Sequence, residues 1–103
     1  MLLAKCKVRI EDIKPGRFYV CQYDKDWYFC VANDVSNEHG DVNVKFLHPK
    51  GPSEKFYWPQ RDDVCWVPIE DVYCEVDTPS TRSTGRFYCF DKITMEKAES
   101  YFD

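Results

Sequence analysis

Apolar and polar residues alternate along this chain in short runs, and only the last stretch shows the three-and-four spacing of a helix face. Ala4, Cys6, Val8 and Ile10 alternate with Lys5, Lys7 and Arg9, the pattern of a half-buried strand. Ile13-Lys14-Pro15-Gly16 reads as a turn, because Pro presets φ and Gly takes positive φ freely. Strands are expected over Arg17–Tyr23, Trp27–Asn33 and Val42–Leu47, separated by polar loops at Asp24-Lys25-Asp26 and Ser36–Asp41. His48–Lys55 holds two prolines and a glycine, so it reads as an ordered excursion and not a tight hairpin turn. Phe56-Tyr57-Trp58 is a short aromatic strand stopped by Pro59. Val64–Val67 is another strand, Ile69–Val72 a single helical turn, and Tyr73–Val76 alternates again.

Beyond Val76 the residues turn small and polar as far as Gly85, the composition of a linker. A last strand is expected over Arg86–Phe90, then a short helix with Thr94 as its cap, running to Phe102. The expected fold is all-β: about five strands in a strongly bent sheet closing on itself as a small barrel. Its divisions are an N-terminal strand over 1–11, the barrel over 12–77, a linker over 78–85, and a strand and helix over 86–103 packed on the barrel. Val20, Val31, Val44, Leu47, Val64, Val67 and Val72 are the expected core.

At 103 residues and 44% hydrophobic, the chain has enough apolar surface for one self-sufficient domain. Its net charge of -4 argues against general phosphate-backbone binding. The charge is uneven: Lys5–Arg17 carries five basic and two acidic residues, whereas Arg61–Asp77 carries one basic and six acidic. An acidic face suits a basic partner such as a Lys/Arg-rich tail, and it equally suits plain solvation. No apolar run approaches the ~20 residues of a membrane span, and Met1-Leu2-Leu3-Ala4 is too short for a signal-peptide core. A nuclear or cytoplasmic setting is therefore expected.

The six cysteines (Cys6, Cys21, Cys30, Cys65, Cys74 and Cys89) admit a disulfide framework, a zinc site or buried thiols. There is no C-x-x-C, and at least four cysteines sit inside apolar runs, which favours reduced, buried thiols and no metal. No catalytic constellation is found. His39 and His48 have no activated thiol beside them, Asp62-Asp63 lies in a loop where neighbours diverge, and no phosphate cradle or nucleophile elbow occurs. Neither an enzyme nor a cofactor is expected.

Aromatic residues make up 17% of the chain and are the stronger lead. Tyr23 ends one strand, Trp27 and Tyr28 begin the next, and Phe46 with His48 leaves the one after. Rings gathered at a barrel rim beside Asp24 and Asp26 would hold a methylated ammonium or guanidinium by cation–π attraction, about 0.5–2 kcal/mol per ring. On spacing alone ordinary packing is the better account of these rings, since aromatic side chains usually serve packing.

Lys14-Pro15-Gly16-Arg17-Phe18-Tyr19-Val20-Cys21-Gln22-Tyr23-Asp24, then Trp27–Ala32 and Val42–Phe46, resembles the opening of a Tudor domain, a family of SH3-like barrels; chromo-barrels share parts of the pattern. The resemblance covers about half of Lys14–Val76. A second, wider one joins Phe46-Leu47-His48-Pro49, Phe56-Tyr57-Trp58-Pro59 and Asp63–Val72. That string is similar to a small domain in uncharacterised animal proteins, many of them transposon-derived. The Tudor resemblance implies a non-catalytic reader of methylated Lys or Arg in a histone tail or another Arg/Lys-rich protein, and a place within a larger protein, as in chromatin. It implies a cage of Tyr23, Tyr28 and Phe46, with a fourth wall from the following connection, where His48 and Trp58 stand. Here that connection departs from the family by an insertion through Trp58. The rival readings are an interaction or dimerisation barrel using Trp58 and Trp66, and nucleic-acid binding through Lys5, Lys7, Arg9, Lys14 and Arg17 with Tyr19 nearby.

Overall fold

The computed structural model describes residues 8–49, 55–82 and 87–100. Its strands are β1 (Phe18–Tyr23), β2 (Asp26–Ser36), β3 (Asp41–Phe46), β4 (His48–Pro49), β5 (Lys55–Tyr57), β6 (Val64–Pro68), β7 (Val72–Val76), β8 (Ser80–Arg82) and β9 (Phe87–Cys89), followed by one helix, α1 (Lys92–Ser100). Every strand pairing is antiparallel. The protein is thus a β-rich domain with a short C-terminal helix.

Five strands form the first sheet in the order β6-β3-β2-β1-β7. Its two outer strands are consecutive in the chain, joined by the single 3-10 turn Ile69–Asp71. In a flat sheet those edges would stand about 19 Å apart. The steps from Pro68 to Val72 span at most about 14 Å. The sheet must therefore curl until its edges approach. Two register shifts help it bend, at Ala32/Asp34 in β2 and at Val20/Cys21 in β1. The Ile69 N–H donates to the Gly40 carbonyl at 2.9 Å, tying the 3-10 turn to the β2–β3 turn, where Gly40 takes φ 70°.

The curl separates two faces. The concave one buries Tyr19, Cys21, Cys30, Val42, Val44 and Val67 among others. The convex face of β1, β2 and β7 is buried too, which is why four consecutive residues of β1 are covered on both sides. Its cover is the second sheet, in the order β4-β5-β9-β8, together with α1. Phe90 stacks on Phe29 with ring centroids 3.7 Å apart and meets Phe56 edge-on at 5.5 Å. Asp91 caps α1, accepting the Thr94 N–H at 2.7 Å. The cap thus lies three residues before the expected one, and Thr94 is buried in the first turn of the helix.

Other expectations change in detail. Ser80–Arg82 lies within the stretch read as a linker but pairs with Phe87–Cys89 as β8. Val64 is 47% exposed because it faces outward on the edge strand β6, and Val31 is only half-buried. The expected strand Ala4–Ile10 lies mostly outside the described residues; Ile10, at its end, opens a 3-10 turn over Ile10–Asp12. Cys6, Tyr101 and Phe102 also lie outside them.

Candidate functional site

The β1–β2 hairpin closes on a two-residue turn, Asp24-Lys25, with Tyr23 paired to Asp26. Asp24 takes φ 59°, a conformation Asp and Asn tolerate better than most residues. Alternation then points Tyr23 and Tyr28 to the concave face at its rim, where β3 delivers Phe46. Phe46 is the floor: it is 2% exposed, with Tyr28 at 5.0 Å and Tyr23 at 5.6 Å between ring centroids. Tyr23 is 47% exposed and offers its ring to solvent.

His48 stands on the far side of Tyr28, at 6.3 Å, and next to Tyr57 at 6.1 Å. It is held by Asp63, whose carboxylate lies 2.8 Å from His48 Nε2. The Asp63 carbonyl in turn accepts the Phe46 N–H at 2.9 Å, so one residue braces both the floor and the histidine. The neighbouring Asp62 turns to Lys45 at 3.6 Å, so the acidic pair diverges.

Charge is concentrated here. Partial burial raises the Tyr28 phenol above its ordinary pKa, and the carboxylates of Asp26, Asp63 and Asp24 raise it further. Three acids acting on one phenol disfavour added negative charge there and favour a cation.

Trp58 does not join these rings. It packs on the convex side against Phe18 at 6.3 Å and Tyr88 at 5.8 Å, with Lys45 Nζ 4.4 Å from its ring centroid. The protein's own cation occupies that ring. The insertion instead contributes Tyr57, at its end, beside His48. Neither Tyr57 nor Asp63 is marked as a site residue by the pattern of the sequence; the acidic pair Asp62-Asp63 was the available signal.

Where β3 gives way to β4, the chain leaves β2. The Cys30–Phe46 pair and the Leu47 N–H to Phe29 carbonyl bond (2.9 Å) end the ladder, and His48-Pro49 swings over to pair with Phe56-Tyr57. The gap this opens is a cavity of about 470 Å³. Tyr28 and His48 line it, whereas Tyr23 and Phe46 do not.

Of the basic residues expected to bind nucleic acid, Lys5 and Lys7 lie outside the described residues. Arg17 reaches Glu75 at 2.7 Å and Arg9 lies 3.7 Å from Asp12. Tyr19 is fully buried, its hydroxyl accepting the Lys14 N–H at 2.9 Å, so it has no free face for a base. Among the described residues no group of three His, Cys, Asp or Glu is clustered as for a metal ion, and no helix is long and apolar enough to cross a membrane. Comparison with protein-family models, curated proteins and solved structures finds no match to this chain in any of the three.

Proposed function

We propose that this chain is a non-catalytic binding module, an SH3-like barrel of Tudor type, that takes a methylated Lys or Arg side chain from a basic protein tail in a nuclear or cytoplasmic setting. The observation that carries the reading is the rim itself: Tyr23 and Tyr28 over Phe46, with Asp24, Asp26 and Asp63 around the Tyr28 phenol. A methylated cation loses little hydration on leaving water and gains from ring faces and from nearby carboxylate charge. The strand order β6-β3-β2-β1-β7, with a 3-10 turn joining its outer strands, supports the barrel assignment.

The test is titration with dimethylarginine and trimethyllysine peptides, followed by NMR. Tyr23, Tyr28 and Phe46 signals should shift together, with micromolar to millimolar affinity, since a few cation–π contacts must offset the ordering of a flexible tail. Tyr23→Ala should abolish the response and leave the fold intact, because that ring lies at the surface. No shift at millimolar peptide would refute the reading.

A second reading rests on β6, an edge strand with Trp66 48% and Val64 47% exposed. An interaction barrel without methyl preference would use that strip, and Trp66→Ala would then weaken partner binding where Tyr23→Ala does not.

A further inference from the structure

The cavity at the fork between β2 and β4 lies outside the ring cluster and shares two walls with it. Its buried lining is apolar, made by Leu47, Phe56 and the half-buried Met95 of α1. Trp27 and Tyr28 contribute from β2, and His48 from β4. Asp26, exposed to solvent, adds one carboxylate to the lining and also acts on the Tyr28 phenol. A cavity of about 470 Å³ falls in the range that takes a specific ligand group. It is larger than one methylammonium needs, and its apolar lining suits a large uncharged side chain.

We infer that this fork is a specificity pocket for a bulky apolar residue, Phe, Leu or Met, carried by the same peptide one to three positions from the methylated residue. The inference rests on the methyl-reader assignment. Two observations choose a basic peptide as the occupant. Asp26 lines the fork, Asp63 lies 2.8 Å from His48 in its wall, and both act with Asp24 on the Tyr28 phenol, a charge that complements a cationic chain and repels an acidic one. Tyr28 both belongs to the ring cluster, 5.0 Å from Phe46, and lines the fork, with His48 beside it at 6.3 Å. An extended chain advances about 3.3 Å per residue, so a few residues suffice to place a cation on one side and an apolar group on the other. The module would read a two-part motif, with the cation giving the methylation requirement and the fork giving the sequence context.

The experiment uses the full chain and four peptides of one Ser/Gly-rich sequence, with arginine either dimethylated or unmodified, and with either Phe or Ser two residues away. The dimethylated Phe peptide should bind at least about tenfold tighter than the dimethylated Ser peptide, as expected for burying an aromatic side chain. Only the Phe peptides should shift the Trp27 indole N–H and the Met95 methyl signal. Met95→Glu should erase the Phe preference and keep the methyl preference; Tyr23→Ala should do the reverse. The two NMR signals keep the test valid if Met95→Glu unfolds. Methyl-dependent binding with equal affinity for the Phe and Ser peptides, and silent Trp27 and Met95 signals, overturns the pocket and leaves the reader intact. Phe preference without methyl dependence overturns the reader and supports the pocket. No binding of any peptide overturns both.

Discussion

At Asp24 the backbone takes φ 59° while the carboxylate charge acts on the Tyr28 phenol. The two roles separate by substitution. Asp24→Asn keeps a residue tolerant of positive φ and removes only the charge. It should leave the melting temperature unchanged and weaken cationic-peptide binding, most at low salt, as read by titration at two salt concentrations. Asp24→Ala should lose stability as well, because a β-carbon without a compensating polar group is strained there. Equal melting temperatures for the two variants would count against the turn argument. The cysteines divide in the same residue-level way. Cys21, Cys30 and Cys74 are buried, and Cys65 and Cys89 are half-buried. Burial pushes the Cys30 thiol well up, and its contact with Cys21 adds to this, so little thiolate forms there. Thiol titration of the native protein should find Cys65 and Cys89 fast and these three slow. A fast Cys30 would contradict the packing. Strand ends put Tyr23, Tyr28 and Phe46 near one rim in the sequence and the Tudor resemblance singled them out as a set, but their common face depends on the strand register, which alternation within one strand does not supply. The sequence could not exclude Trp58, since nothing local says that Lys45 will lie over that ring. Nor could it find Asp63, whose bond to His48 depends on the fork.

Among the elements, the second sheet is the least legible in the sequence. Its strands run two or three residues each, and β5 pairs with β9 across more than thirty residues. Short polar strands such as Ser80–Arg82 carry no alternation to read, and their pairing is decided by what they cover. What they cover is the convex face around Phe29, where Phe90 stacks on that ring at 3.7 Å and Phe56 meets it edge-on at 5.2 Å. Phe90→Ala should cost about 3–5 kcal/mol, a large part of the total for a domain of this size. Urea denaturation measures it, and a loss below about 1 kcal/mol would mean that the second sheet is dispensable. At the start of α1, the Thr94 N–H bond and then its hydroxyl hold the Asp91 carboxyl below the ordinary range. A lowered folded value means the cap stabilises above the ordinary aspartate pKa and fades as pH falls through the folded one. Asp91→Ala should therefore lower the melting temperature at pH 7, with the gap closing in strong acid. A gap that stays constant with pH would remove the charge from the explanation.

For the whole molecule, the question is which partner its charge selects. A net charge of -4 with three acids at the ring cluster favours a basic chain. The opposing candidate, nucleic acid at the basic N-terminal end, depends on groups that are partly spent. Arg17 is paired with Glu75 and Arg9 with Glu11 and Asp12, while Tyr19 lies in the core. Salt separates the two partners, because a strand of phosphates releases condensed counterions and a short cationic peptide releases few. Between 50 and 200 mM salt, a protein making six to ten phosphate contacts loses about 10³–10⁵ in affinity. The methylated peptide should lose less than about tenfold, since its ring contacts are screened little and its few charge contacts moderately. The measurement is fluorescence anisotropy with a labelled dimethylarginine peptide and a labelled single-stranded oligonucleotide at both salts. An oligonucleotide that binds tightly at 50 mM and falls steeply, beside a peptide that never binds, would move the functional surface from the acidic rim to the basic end.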